Sequence, residues 1–236
     1  MHDELKPHLE EIKRRLIYCL IVYSFTLCIF LYFIDPIFNL LAKPILNSLP
    51  KNSHLIVTEI TSSFTTPLKL SLHLSLITII PLCLSQVWLF IRPALYKREK
   101  KAITPVVLSS ICLFYLGMFF AYFLAIPLAV NFFTNIAPSN VLVMTSINSY
   151  IDFLLSMLMI FGLSFQIPII IYTILINNIM KIETLTEKRP IIIIMAFTLG
   201  MLLTPPDVIS QILLAVPMLF LFELGIMSAK YKLNRR

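Results

Sequence analysis

The sequence predicts an all-α integral membrane protein with six transmembrane helices, short fifth and sixth helices, and both termini in the cytoplasm. Two observations lead to this fold class. Hydrophobic residues make up 58% of the chain and charged residues only 13%, about half the charged fraction of an ordinary soluble domain. The charges also lie between long apolar runs, so lipid must cover much of the apolar surface.

Six apolar segments are predicted to cross the bilayer. They are residues 16–34, 70–91, 104–130, 150–177, 191–203 and 208–227 of a single membrane domain, residues 1–236. A spanning helix needs about 20 residues, whereas the fifth segment has 13 residues and covers about 20 Å. Thinning of the bilayer or shielding by protein must make up the difference. Residues 1–15 are highly charged and a spanning run follows them, so the first helix is expected to be retained rather than cleaved.

The basic residues predict the orientation. Of the 19 lysines and arginines, 16 lie in the N-terminal tail, the second and fourth loops and the C-terminal tail. The other three are Lys43, Lys51 and Lys69. Because basic residues accumulate on the cytoplasmic side, this asymmetry predicts cytoplasmic termini. The first external segment, residues 35–66, combines three prolines with apolar residues near helical spacing, which predicts short interfacial helices.

No catalytic or metal-binding motif is present in the sequence. There is no Gly-x-Ser-x-Gly or His-Glu-x-x-His, the four histidines are scattered, and the four cysteines lie unpaired in apolar stretches. We therefore expect no enzyme activity, no catalytic residue, no metal and no cofactor. The net charge of +7 is compatible with nucleic acid, but the positions of the charges favour a membrane surface, so no nucleic-acid partner is expected.

A few polar residues within or beside the spans are candidates for function, because such groups are costly in lipid. Gln166 lies mid-span before Pro168 and is predicted either to bond to a neighbouring helix or to face a hydrated cavity open to the external side. Asp207 follows two prolines at an outer turn, where it either caps a helix or has a functional role. Glu223 is expected to reach the cytoplasmic interface from the sixth span.

Two glutamates lie among basic residues on the predicted cytoplasmic face. Glu11 precedes Lys13, and Glu99 lies between Arg98 and Lys100. Each either pairs with a neighbouring lysine or arginine, which contributes little at a surface, or forms a site for an incoming cation. Composition by itself favours local pairing.

Several motifs occur in a fixed order along nearly the whole chain. They are His8-Leu9-x-Glu11; Phe64-x-x-Pro67-x-Lys69; Gln86-Val87-Trp88-x-Phe90-Ile91-x-Pro93-x-Leu95-Tyr96-x-x-Glu99; Phe114-Tyr115-x-Gly117; Phe161-Gly162-x-Ser164-Phe165; Lys188-Arg189-Pro190; and Gly200-Met201-Leu202-Leu203-Thr204-Pro205-Pro206-Asp207. In this combination the chain resembles the TatC family, the multispan receptor subunit of the twin-arginine protein translocase.

The resemblance implies a function and a set of site residues. It implies a core subunit of the bacterial inner membrane that recognises signal peptides with two consecutive arginines. The subunit would export folded proteins by using the proton-motive force, together with the single-span partners TatA and TatB and with further copies of itself. The residues implied to bind the signal peptide are Glu11, Lys13, Phe90, Leu95 and Glu99. Those implied to contact partner helices are Met201, Thr204 and Gln211.

Two positions depart from the pattern of the family. Lys13 stands where arginine is frequent, and Gln166 where glutamate is common, so this chain has no ionisable group at position 166. A secondary transporter of a small solute is the alternative function, disfavoured because the two halves show no internal repeat. An intramembrane hydrolase is disfavoured because a nucleophile motif is missing.

Overall fold

The computed structural model describes residues 2–48, 55–91, 103–136, 145–177, 179–203 and 208–233. Within these ranges the chain is helical apart from two short strands and connecting turns. The elements are α1 (His2–Tyr32), α2 (Ile34–Ser48), β1 (Leu55–Ile56), α3 (Ser62–Ile91), α4 (Ile103–Phe120), a π-helical segment (Ala121–Ala125), α5 (Ile126–Ile136), β2 (Thr145–Ser146), α6 (Ile147–Ser164), α7 (Ile167–Ile176), α8 (Ile182–Glu187), α9 (Arg189–Leu203) and α10 (Val208–Leu233).

The described helices contain the predicted spans. Five segments are long and apolar enough to cross a membrane: Glu10–Tyr32, Ser62–Gln86, Pro105–Thr134, Ile147–Ile176 and Gln211–Leu233. A shorter apolar helix, Arg189–Met201, lies between the last two. Each segment occupies its predicted place in the chain, so the predicted all-α membrane fold with six spans is confirmed, whereas the cytoplasmic location of the termini stays a prediction. A helix also covers residues 34–48 in the first external segment, and its location at the membrane interface stays a prediction.

The expected lengths of the last two helices need one correction. α9 has 15 residues, about 22 Å, and is short as predicted. α10 has 26 residues, about 39 Å, and is not short. The prediction followed the apolar run, which stops near Met227, but the helix continues through Lys230 and Lys232. Basic side chains in a last turn are favourable because they face the negative end of the helix dipole.

The chain divides into two compact units, residues 1–42 with 57–112 and residues 43–56 with 113–236. The predicted single membrane domain stays a prediction. In the first unit, α1 packs against α3. The Tyr23 hydroxyl donates to the Leu72 carbonyl at 3.5 Å. α3 begins at Ser62, eight residues before the predicted span, because its first turns are polar and escape a hydropathy criterion.

In the second unit, the third span is continuous but irregular. Five residues, Ala121–Ala125, form a π-helical turn, and the Ile126 N–H bonds to the Ala121 carbonyl. Pro127 follows at once and has no N–H to donate. A π-turn locally shifts the bonding pattern, so the proline is accommodated without ending the segment.

The fourth span consists of two helices, α6 and α7, separated at Phe165 and Gln166. The Gln166 N–H bonds to the Leu163 carbonyl at 3.0 Å, which tightens the end of α6. Pro168 is the second residue of α7, where a missing N–H costs no helical bond. The interruption therefore lies where the order Gln166, Ile167, Pro168 predicts a kink.

Two glycines allow α4 and α6 to approach each other closely in the second unit. A Cβ atom at Gly117 would lie 2.5 Å from the Phe161 carbonyl oxygen, and one at Gly162 would lie 2.9 Å from the ring of Phe114. Phe120 stacks near Phe161 and Phe165, with ring centroids 5.3 and 5.7 Å apart. Small residues at helix contacts are the usual means of packing in lipid.

The second unit has further contacts between its strands and between its helices. β1 and β2 form a parallel pair, with Leu55 opposite Thr145 and Ile56 opposite Ser146, which the sequence did not predict. α10 packs against α7 and α9. An apolar core joins α7, α8 and α10 through the following buried side chains: Ile171, Leu175, Leu185, Phe222, Ile226 and Ala229.

Candidate functional site

Glu11, the first predicted site residue, lies on α1 and already holds a guanidinium of its own chain. Arg15 follows one turn later, and its Nη2 lies 2.5 Å from Oε1 of Glu11. A glutamate four residues before an arginine is the favourable order for such a pair on a helix. The two side chains are 35% and 23% exposed, respectively, so the pair is partly shielded from solvent.

Arg15 also connects α1 to α3. Its Nη1 donates to the backbone carbonyl of Gln86 at 3.0 Å and to the side-chain oxygen of Gln86 at 3.3 Å. One guanidinium therefore has three acceptors on two helices. Gln86 lies near the end of α3, which stops at Ile91.

The sequence analysis did not single out Arg15. The four-residue spacing from Glu11 to Arg15 was the available signal, but Lys13 and Arg14 are as basic and as near. The rotation of α1 about its axis decides which of them faces α3, and the residue pattern does not give that rotation. In the structure Lys13 and Arg14 are exposed, and neither forms an ion pair with a described side chain.

The other residues implied to bind a signal peptide are only partly described. Phe90 lies in α3, but its side chain is outside the described part of the molecule. Leu95 and Glu99 lie outside the described residues. Of the two predicted carboxylates, Glu11 is the one among the described residues.

Two of the residues implied to contact partner helices are described, Met201 near the end of α9 and Gln211 near the start of α10. Met201 is 63% exposed. Gln211 lies on α10, and its Nε2 donates to the Phe197 carbonyl on α9 at 2.7 Å. Gly200 allows this contact, because a Cβ there would lie 3.1 Å from Cγ of Gln211. Thr204 and Asp207 fall outside the described residues.

Glu223, on α10, pairs with Arg189 at the start of α9, a contact that the sequence did not predict. Nε and Nη2 of Arg189 lie 2.9 Å from Oε1 and Oε2 of Glu223, respectively. This is the two-point geometry that a planar guanidinium makes with a carboxylate. Arg189 is the first residue of α9, so the pair links the start of the short helix to α10.

Gln166 is buried, with 5% of the residue exposed. Its backbone carbonyl accepts bonds from the Ile169 and Ile170 N–H groups at 3.1 and 3.0 Å, which begins α7. The nearby Ser164 hydroxyl donates to the Ile160 carbonyl at 2.7 Å. Gln166 is therefore covered by protein, and the choice between an interhelical contact and a hydrated cavity stays a prediction.

These features describe a class of protein: a multi-pass, all-α membrane protein without a catalytic motif. Its N-terminal helix carries a carboxylate that binds an arginine. Its short fifth span contacts the sixth through the Arg189–Glu223 pair and through the bond from Gln211 to Phe197. Comparison with known proteins defines the class further. The family model "Sec-independent protein translocase protein (TatC)" matches residues 7–217.

Curated relatives match almost the whole chain. The Sec-independent protein translocase protein TatC of Escherichia coli (strain K12) is 44% identical over 231 residues, which are 98% of this chain and 90% of that protein. The TatC of Haemophilus influenzae is 44% identical over 97% of this chain and 91% of its own length. The TatC of Aquifex aeolicus is 37% identical over 98% of this chain and 97% of its own length.

Solved structures agree with the sequence comparisons. A crystal structure of the twin-arginine translocase receptor TatC superposes with a TM-score of 0.85 at 37% identity, covering 95% of this chain and 98% of that one. A second, determined in DDM, has a TM-score of 0.84 at 35% identity. The chain belongs to the TatC family. It is a component of a Sec-independent protein translocase, a non-enzymatic multi-pass protein of the bacterial inner membrane, so the solute-transporter alternative has no support.

Proposed function

We propose that this chain is the signal-peptide receptor and core subunit of a twin-arginine translocase, with Glu11 and Glu99 binding the two signal arginines. One observation carries the proposal: the chain belongs to the TatC family over residues 7–217. In the structure the carboxylate of Glu11 is partly exposed and binds a guanidinium, that of Arg15, so it has the charge that an incoming arginine requires. Lysine, a compact point charge, matches a carboxylate less well than a planar guanidinium does.

We propose that three further residues contribute to the signal-peptide site. Lys13 lies on the same helix as Glu11, and Phe90 and Leu95 would supply apolar contact for the signal peptide. The folded cargo follows the signal peptide, and the proton-motive force drives transport, as the resemblance to the TatC family implies.

The test replaces each carboxylate in turn. Glu11→Ala and Glu99→Ala should weaken cross-linking to a twin-arginine precursor, because a lost charged partner costs about 1–3 kcal/mol, or roughly five- to a hundredfold in affinity. Glu10→Ala is the matched control, since Glu10 is an exposed glutamate next to Glu11 that points about 100° away on the helix. Normal cross-linking of both variants would show that the carboxylates are misassigned.

We further propose that the end of α9 and the start of α10 bind the single-span partners TatA and TatB through Met201, Thr204 and Gln211. Met201 is exposed, and Gln211 lies close to it at the contact of the two helices, where its side-chain nitrogen bonds to the Phe197 carbonyl. Met201→Cys should form disulfide cross-links with a cysteine in a partner helix. Leu199→Cys is the control, since residue 199 lies about 200° around the helix. Equal cross-linking at both positions would contradict a specific contact.

The proposed orientation has both termini in the cytoplasm, with Asp207 at an external turn. A reporter fused after residue 140 should then read as external, and reporters fused after residues 98 and 185 as cytoplasmic, because 16 of 19 basic residues lie on one side. An external reading at residue 98 would overturn the whole topology.

A further inference from the structure

The proposed arginine-binding carboxylate is not empty in the structure, because the chain's own Arg15 occupies it. The bond uses Oε1 of Glu11. Among the described residues, no side chain bonds to the other carboxylate oxygen. The other terminal nitrogen of Arg15, Nη1, donates to the backbone and side-chain oxygens of Gln86 on α3.

A signal arginine therefore meets a carboxylate of which one oxygen, Oε1, already bonds to Arg15. A guanidinium binds a carboxylate most strongly when its two N–H groups reach both oxygens. Arg15 must release Oε1 for that geometry to form, or the two guanidinium groups must share one carboxylate at close range. Both routes oppose binding, the first through the lost internal contact and the second through repulsion between like charges.

Arg15 has one effect in the opposite direction. By holding Glu11 in one rotamer, it removes part of the ordering cost that a free glutamate would bear on binding. This gain concerns one side chain at a partly exposed site. The opposing effect concerns a full unit charge a few ångströms from the incoming cation, so the opposing effect is the larger.

We propose that Arg15 is an internal counter-ion that competes with the signal arginine for Glu11 and thereby sets the affinity threshold of the receptor. This proposal rests on the proposed function of Glu11. The competing contact divides the receptor into a closed state, with Glu11 on Arg15, and an open state that accepts a signal. The apparent dissociation constant is then the intrinsic constant divided by the open fraction. A weak signal fails because it cannot displace the internal arginine.

The experiment measures binding of a fluorescent twin-arginine signal peptide to the full-length protein in nanodiscs at fixed ionic strength. Arg15→Gln should tighten binding three- to tenfold, and it should tighten binding of a twin-lysine peptide by the same factor, because the open fraction is common to all ligands. Arg14→Gln is the matched control, since Arg14 has the same charge, is adjacent and makes no bond to a described side chain. It should change binding less than twofold.

The Glu11→Gln background separates competition from general electrostatics. Without the carboxylate there is nothing to compete for, so Arg15→Gln should have no further effect there, whereas a simple charge effect would persist. Unchanged or weaker binding by Arg15→Gln in the wild-type background would overturn the proposal and make Arg15 a positioning residue for Glu11.

A second variant covers the case in which Arg15→Gln does not accumulate as folded protein. Arg15→Lys keeps the charge, but one ammonium group reproduces the forked contact to Glu11 and Gln86 poorly, so a smaller gain of about twofold is expected and no gain overturns the proposal. Failure of the proposed function gives a different result. If Glu11→Gln binds the peptide as tightly as the wild type, Glu11 is not the site, whatever Arg15 does.

Discussion

The first and fourth membrane segments are similarly apolar, yet they are buried to very different extents. In the apolar window of Glu10–Tyr32 no residue is buried, whereas in that of Ile147–Ile176 67% are. α1 packs against α3 and leaves large side chains such as Leu20 and Phe25 exposed. α6 places Ile151, Leu154 and Phe161 fully inside the second unit.

The difference shows that apolar character does not indicate burial in this chain. Lipid is as apolar as a protein core, so a leucine gains little by facing one rather than the other. Small and polar residues distinguish the two segments instead. The buried segment carries Gly162, Ser164 and Gln166, whereas the exposed one touches its neighbour through the polar groups of Arg15 and Tyr23.

The largest expected effect is at Gly117, which packs against the buried segment. Gly117→Ala should destabilise the protein by about 3 kcal/mol or more, because its Cβ would lie 2.5 Å from a backbone oxygen of Phe161. Gly162→Ala should cost less, since its Cβ would lie 2.9 Å from the ring of Phe114, a side chain rather than the backbone. Thermal unfolding of both variants in detergent measures the difference. If Gly117→Ala is as stable as the wild type, α4 and α6 do not approach this closely.

The next effect concerns the buried amide of Gln166. Gln166→Glu should fold, as the glutamate common at this position in the family does, but should lose stability as the pH rises, because a carboxyl at a site only 5% exposed can stay protonated and is costly to ionise. Gln166→Leu has a similar volume without charge and should fold nearly as well as the wild type. Membrane levels and melting temperatures of the two variants check this. A Gln166→Glu variant whose melting temperature is independent of pH relative to the wild type would show instead that water reaches the side chain, which is the predicted hydrated cavity.

The spans of this protein could be predicted from its sequence, whereas the contacts between its helices could not. The spans and the kink at Gln166 follow from hydropathy and proline placement, which depend on local residues. The contacts of Arg15 with Gln86, of Gln211 with Phe197, and of Arg189 with Glu223 join residues far apart in the chain. Each depends on how two helices are rotated about their axes, and hydropathy cannot fix a rotation when both faces of a helix are apolar.

A smaller effect is expected for the pair Arg189 and Glu223. The two side chains are 48% and 44% exposed, so Glu223→Gln should cost at most about 1 kcal/mol despite the two-point geometry. Either charge reversal alone, Arg189→Glu or Glu223→Arg, should lower the stability by more than Glu223→Gln does. The double variant, which restores opposite charges, should be more stable than either single reversal. Melting temperatures of the four proteins form a double-mutant cycle. A double variant no more stable than the single reversals would mean that the pair does not stabilise the link between α9 and α10.

The smallest effect is expected on the exposed face of α1. Phe25 is 67% exposed, and in a membrane its ring contacts lipid both before and after the helices associate. Phe25→Ala therefore removes no contact that folding creates, and the stability should change by less than about 0.5 kcal/mol. Phe161→Ala is the matched comparison, because that ring is fully buried and its removal leaves a cavity that costs about 3–5 kcal/mol. Thermal unfolding in the same detergent measures both. A large loss for Phe25→Ala would show that α1 is covered by protein, and a second copy or a partner helix would then have to supply the cover.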